Sequence, residues 1–109
     1  MEIIKKKDGS ADIFKINGRL DVLGSQKAQD EIIPAIPKGG KLILDMTDCD
    51  YVASSGLRVL LIAAKQSAAA GCKTVLAGVQ PMVWDVILMT GFEDVLEAYP
   101  TQKDALSSL

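Results

Sequence analysis

The chain has 109 residues, 49% hydrophobic and 24% charged, with a formal net charge of −2, which suits one globular domain with a modest core. That balance gives no support for nucleic-acid binding, which calls for a basic face. The complete absence of histidine excludes every Ser-His-Asp or Cys-His mechanism and every histidine-liganded metal site. No apolar run approaches the roughly 20 residues of a membrane span, and the N-terminus lacks the charge-then-apolar order of a signal peptide. Cys49 and Cys72 lie far apart and form no Cys-x-x-Cys pair. The expectation is a cytoplasmic protein with two thiols, no metal, no cofactor and no membrane insertion.

Residues 2–7 and 11–18 read as two strands, with Asp8-Gly9-Ser10 as the hairpin turn between them. Lys5-Lys6-Lys7 is the one basic run and reads as a solvated strand end. In the second strand Phe14, Ile16, Gly18 and Leu20 alternate with Ile13, Lys15, Asn17 and Arg19, the pattern of one buried face. A helix follows, with Ser25 as its expected cap and Leu23, Ala28, Ile32 and Ile36 as its apolar side; Pro34 should end it near Ile33. Lys41 to Met46 is an apolar run without alternation, which predicts a strand buried on both faces.

The stretch from Asp48 to Leu61 passes from polar residues through Ser54, Ser55 and Gly56 into an apolar helical segment. It reads as strand end, loop, serine cap and helix. Asp48 and Asp50 read as turn formers. A hydroxyl at such a helix start sits where partial positive charge gathers, so it is either a cap or a place to put an anion. In the helix Leu57, Leu60, Leu61, Ala63, Ala64 and Ala68 form a wide apolar stripe, and the flank near Arg58 and Ile62 is a candidate partner contact. Lys73 to Ala77 completes a strand-helix-strand unit that should be parallel and right-handed.

Pro81 opens a third helix with Val83, Val86, Ile87 and Thr90 on one face, and Gly91 is its stop. Trp84 reads as packing, and Met82 and Met89 as core gap-fillers, with an adaptable contact surface as the alternative. A short strand at 95–98 and a terminal helix capped by Thr101 close the chain. Gly-x-Ser-x-Gly is absent, and Gly39-Gly40-Lys41 lacks the rest of a phosphate-binding loop, so no catalytic activity is expected.

Three segments carry a family resemblance. Tyr51-Val-Ala-Ser-Ser-Gly-Leu-Arg-Val-Leu-Leu61 resembles the phosphorylation loop of STAS domains, the bacterial anti-sigma factor antagonists, which usually show Asp-Ser-Ser/Thr-Gly-Leu. Gly18-Arg19-Leu20-Asp21 resembles the family's Gly-x-Leu-Asp, and Ala70 to Gly78 its helix stop and following strand. The resemblance implies an α/β fold over residues 1–109: a mixed sheet of four or five strands, the first antiparallel, with helices mainly on one face. It implies that Ser54 is the phosphoacceptor, with Ser55 the alternative, and with the helix flank at Arg58 and Ile62 the expected partner contacts are Asp21, Ser54, Ser55, Gly56, Arg58 and Ile62. That partner would be an anti-sigma factor that is also a serine kinase, bound by the unphosphorylated protein so that a sigma factor is freed; a phosphatase would reset the switch. ATP belongs to the kinase in this scheme. Where the family has Asp, this chain has Ala53, which reads either as a looser branch or as a domain no longer modified. The runner-up is a non-catalytic subunit of a membrane lipid-transport ATPase, or a signalling scaffold.

Overall fold

The turn at Asp8-Gly9-Ser10 joins β1 (Glu2–Asp8) to β2 (Ala11–Leu20) as the expected antiparallel hairpin, in register from Glu2↔Asn17 to Asp8↔Ala11. The computed structural model describes residues 1–109, with the side chain of Glu93 excepted. The first half of β2 pairs in parallel with β3 (Lys41–Asp45), and β3 with β5 (Lys73–Ala77). β6 (Ala98–Tyr99) completes the path β1-β2-β3-β5-β6. The sheet is mixed, and β1 is its antiparallel member.

A sixth strand, β4 (Cys49–Val52), lies where the sequence reads as turn and loop. It pairs in parallel with the second half of β2, where β3 has ended. Six strands therefore replace the expected four or five. Cys49 and Val52 point inward while Asp50 and Tyr51 are exposed, so the strand has too few residues to display an alternation that a sequence reader could count. Asp48 and Asp50 are exposed, but only Asp48 lies in the turn; Asp50 stands within β4.

Four helices pack on this sheet: α1 (Val22–Ile32), α2 (Ser54–Ala69), α3 (Pro81–Thr90) and α4 (Gln102–Ser108). The main core lies on the face covered by α1, α2 and α3, where Ile16, Leu20, Ile32, Leu44, Leu60 and Ile87 are fully buried. α4 covers the opposite face over a smaller cluster of Ile13, Ile43, Val75, Ala77 and Ala105. Hence Ile13 is buried as well as Phe14, and β2 has two covered faces at its start rather than one. β3 is buried on both faces, as its unbroken apolar run requires.

Local details correct several expectations. Asp21, not Ser25, caps α1: its Oδ1 accepts from Gly24 N at 2.8 Å, and Ser25 is a buried residue of the first turn. Leu23 is 83% exposed and contributes nothing to the core. α1 gives way to a short 3-10 turn at Ile33–Ala35, where Pro34 cannot donate the next helical bond. Met82 and Met89 are 77% and 86% exposed, so neither fills a gap in the core. The last strand starts three residues later than expected, and Val95 is exposed. Gly91 does end α3, in the left-handed conformation at φ 75° that glycine adopts without strain. Thr101 caps α4 by accepting from Asp104 N at 3.1 Å.

Candidate functional site

β2 and β4 run parallel, so both chains leave the sheet at the same edge. Leu20 pairs with Val52, and Ala53 N donates to Leu20 O at 2.9 Å. That bond places the start of α1 beside the start of α2. Gly56 makes the approach possible: a Cβ there would lie 2.7 Å from Leu20 Cβ and 2.8 Å from Leu20 O, closer than side chains tolerate. Gly56 is thus a packing residue of the site, buried beneath it.

The two serines occupy different environments. The N-cap of α2 is Ala53, which has no side-chain acceptor; Ser54 is the first helical residue, so the expected serine cap does not exist. Ser54 is exposed, and its hydroxyl makes no hydrogen bond among the described residues. Ser55 is half-buried and donates to Ser25 Oγ at 3.2 Å. Ser25 in turn donates to Asp21 O at 2.5 Å. The chain Ser55–Ser25–Asp21 ties the first turns of α1 and α2 together and leaves Ser54 as the free hydroxyl.

Asp21 is exposed beside this junction, its carboxylate engaged by Gly24 N. Arg58 and Ile62 continue the row from Ser54 at intervals of four residues, one and two turns along α2. Arg58 is exposed and Ile62 half-buried. All six sequence-derived site residues therefore fall on one end and one flank of the α1–α2 pair, with Gly56 beneath rather than on the surface.

Sequence reasoning missed two contributors. Ser25 looked like an ordinary cap, and nothing in its neighbours signals a link thirty residues away. Tyr51, 42% exposed, lies under the Arg19 guanidinium at 4.5 Å from its ring centroid. The pairing Arg19↔Tyr51 could have been inferred only with β4 and its register in hand. At the turn that precedes β4, Asp48 pairs with Lys15 of β2 at 2.9 Å. The Asp48 hydrogen bond and its charge raise the Lys15 pKa above the ordinary lysine value. Burial pushes the Cys49 thiol up, against the smaller opposing effect of backbone hydrogen bonding at Tyr51 and Leu20.

The junction thus presents one exposed, unbonded hydroxyl at a helix start, with its neighbour serine held by the adjacent helix. The fold that carries it is that of the STAS domain, and the family pattern of that name matches residues 2–105. The chain belongs to the STAS domain family. Among its relatives is a protein named as an anti-sigma factor antagonist, BtrV of Bordetella bronchiseptica, 27% identical over 94 residues that cover 85% of this chain and 81% of the relative. Among solved structures, a STAS domain protein from Planctomyces limnophilus superposes with a TM-score of 0.87 at 18% identity, over 97% of this chain and 95% of that one. The Bacillus cell-fate determinant SpoIIAA in its phosphorylated form superposes with a TM-score of 0.73 at 18% identity, over 98% of both chains. No helix of the described residues is long and apolar enough to cross a membrane.

Proposed function

We propose that this protein is an anti-sigma factor antagonist and acts as a phosphorylation-controlled partner switch, with Ser54 as the phosphoacceptor. The observation that carries the reading is the contrast between the two hydroxyls: Ser54 is exposed and unbonded, whereas Ser55 is half-buried and bonded to Ser25. The relative's name gives the antagonist class its support. In the unphosphorylated state the ridge Ser54–Arg58–Ile62, with Asp21 beside it, receives an anti-sigma factor that is also a serine kinase, and the sigma factor is released. The kinase then transfers the γ-phosphoryl of its ATP to Ser54 Oγ; the hydroxyl gives up its proton and ADP leaves. A phosphatase returns the serine by hydrolysis, releasing inorganic phosphate. The phosphate adds about −1.5 to −2 charges and three acceptor oxygens. A surface fitted to a hydroxyl meets bulk and charge instead, and association falls without refolding.

Ser54 needs no Asp before it to be reached, because exposure comes from its place at the first position of α2 and not from the residue at 53. The test is phosphosite mapping. Wild type, Ser54→Ala and Ser55→Ala proteins are incubated with ATP in extract of the source cell. The expected result is a phosphoryl group on Ser54 in wild type and in Ser55→Ala, and none in Ser54→Ala. A label that persists in Ser54→Ala at the wild-type level contradicts the assignment.

A further inference from the structure

α2 breaks two local rules of helix starts at once. Its N-cap, Ala53, offers no acceptor to the open backbone amides, and its first turn contains no acid. A cation, Arg58, stands at the start of the next turn, with no acid on the same helix to offset it. No acidic residue occurs anywhere from Ser54 to Ala69. Sequences that agree with their fold at every other level tend to break local rules at functional positions.

Arg58 is also uncommitted, a state it shares among the described residues with Lys6, Lys38, Lys65 and Lys103, none of them within two helical turns of Ser54 in sequence. Lys15, Lys27 and Lys73 pair with Asp48, Glu31 and Glu97, Lys7 approaches Asp12, and Arg19 lies over Tyr51. Arg58 has neither an ion pair nor a side-chain hydrogen bond among the described residues. It is exposed and sits four residues after the exposed Ser54, a spacing that brings side chains to about 5–6 Å between Cβ atoms.

We propose that Arg58 is the built-in counter-ion of a phosphate on Ser54. This inference rests on the proposed function. The guanidinium offers a planar fork of donors that matches phosphate oxygens two at a time. In the unmodified protein Arg58 faces outward and is available to an acidic group of the partner. Once Ser54 carries a phosphate, the guanidinium turns to it, and the phosphate is pinned along the ridge toward Ile62. One modification thereby removes two partner contacts, the hydroxyl and the cation. At the ends of the elements that meet here, the other charged residues are Asp21 on the cap of α1, Asp50 on β4 and Arg19 near the end of β2. Asp21 is occupied by Gly24 N and Arg19 by Tyr51, which leaves Arg58 as the cation on the same helix row as Ser54.

The test needs no kinase. Phosphoserine is installed at position 54 by genetic-code expansion, and the phosphate is titrated by 31P NMR in the full chain. With Arg58 present its second pKa should lie below the ~6 of free phosphoserine. Arg58→Gln should raise it by about half a unit, as an exposed ion pair allows, and added salt should narrow the gap. Arg58→Lys should restore part of the shift, and Arg19→Gln should leave it in place. Superimposable titrations with and without Arg58→Gln overturn the proposal, as does a shift that vanishes in Arg19→Gln instead. Melting of the unphosphorylated variants checks that all three stay folded. The titration stands apart from phosphosite mapping. Loss of the Ser54 label in extract would sink the switch while leaving this pairing intact, and equal titrations would sink the pairing while leaving the switch.

Discussion

At the scale of single residues, Ala53 decides more than its size suggests. It occupies the N-cap of α2, a position where Asp, Ser or Thr would accept a bond from the first turn. Ala53→Asp should therefore stabilise the protein by about 1 kcal/mol, or about 4 °C in Tm by calorimetry. An unchanged Tm would mean that the first-turn amides are already satisfied. The sequence shows that Ser54 and Ser55 sit at a helix start, but not which of them caps it. Neither does, because the helix begins one residue earlier relative to the serines than a capping hydroxyl needs. The difference in surroundings between the two serines was likewise hidden, since it depends on Ser25, a residue thirty positions from Ser55 in sequence and 3.2 Å from it in space. Gly56 was legible as part of the loop; its reason, the backbone and side chain of Leu20 pressed against it, was not.

At the scale of elements, α2 has one face in the core and one open to solvent. Leu57, Val59, Leu60 and Ala63 are buried, whereas Ser54 and Arg58 are exposed. Leu60→Ala should cost about 2–5 kcal/mol of folding stability in urea denaturation, because Leu60 is fully buried among side chains that cannot close the gap. Met89→Ser, at a side chain that is 86% exposed, should stay within about 0.5 kcal/mol of wild type. Equal effects from the two would place Met89 in the core. The apolar runs of β3 and β5 and the helical period of α2 are long enough to be read from sequence. β4 is not, being four residues long and defined by its pairing with β2 rather than by its own composition. The same missing strand hid the Arg19–Tyr51 stack, because only the β2–β4 register sets those two residues side by side.

At the scale of the whole molecule, the six-stranded sheet with three helices on one face and one on the other presents the start of α2 at the edge where β2 and β4 end. The fold should weaken at high pH for an identifiable reason. Burial raises the thiol pKa of Cys49 and of Cys72 above the ordinary 9.0. A group whose folded pKa is raised contributes stability that is fully present below its unfolded value and is lost as pH climbs through the folded one. The Lys15–Asp48 pair acts in the same direction above the ordinary lysine value of 10.5. Urea midpoints should therefore fall as pH rises past 9.0, and Cys49→Ala should flatten that decline relative to its own neutral-pH midpoint. A midpoint that does not move across this range would show that the thiols are as easily ionised in the fold as outside it.

The partner switch itself is tested most directly by what the protein holds on to. Wild type, Ser54→Ala and Ser54→Asp are used as baits in native cell lysate, and the retained proteins are identified by mass spectrometry. The expected result is that wild type and Ser54→Ala retain an ATPase of the serine-kinase anti-sigma class and that Ser54→Asp loses it. Retention of one and the same transporter ATPase by all three baits would contradict the switch and make the domain a constitutive subunit.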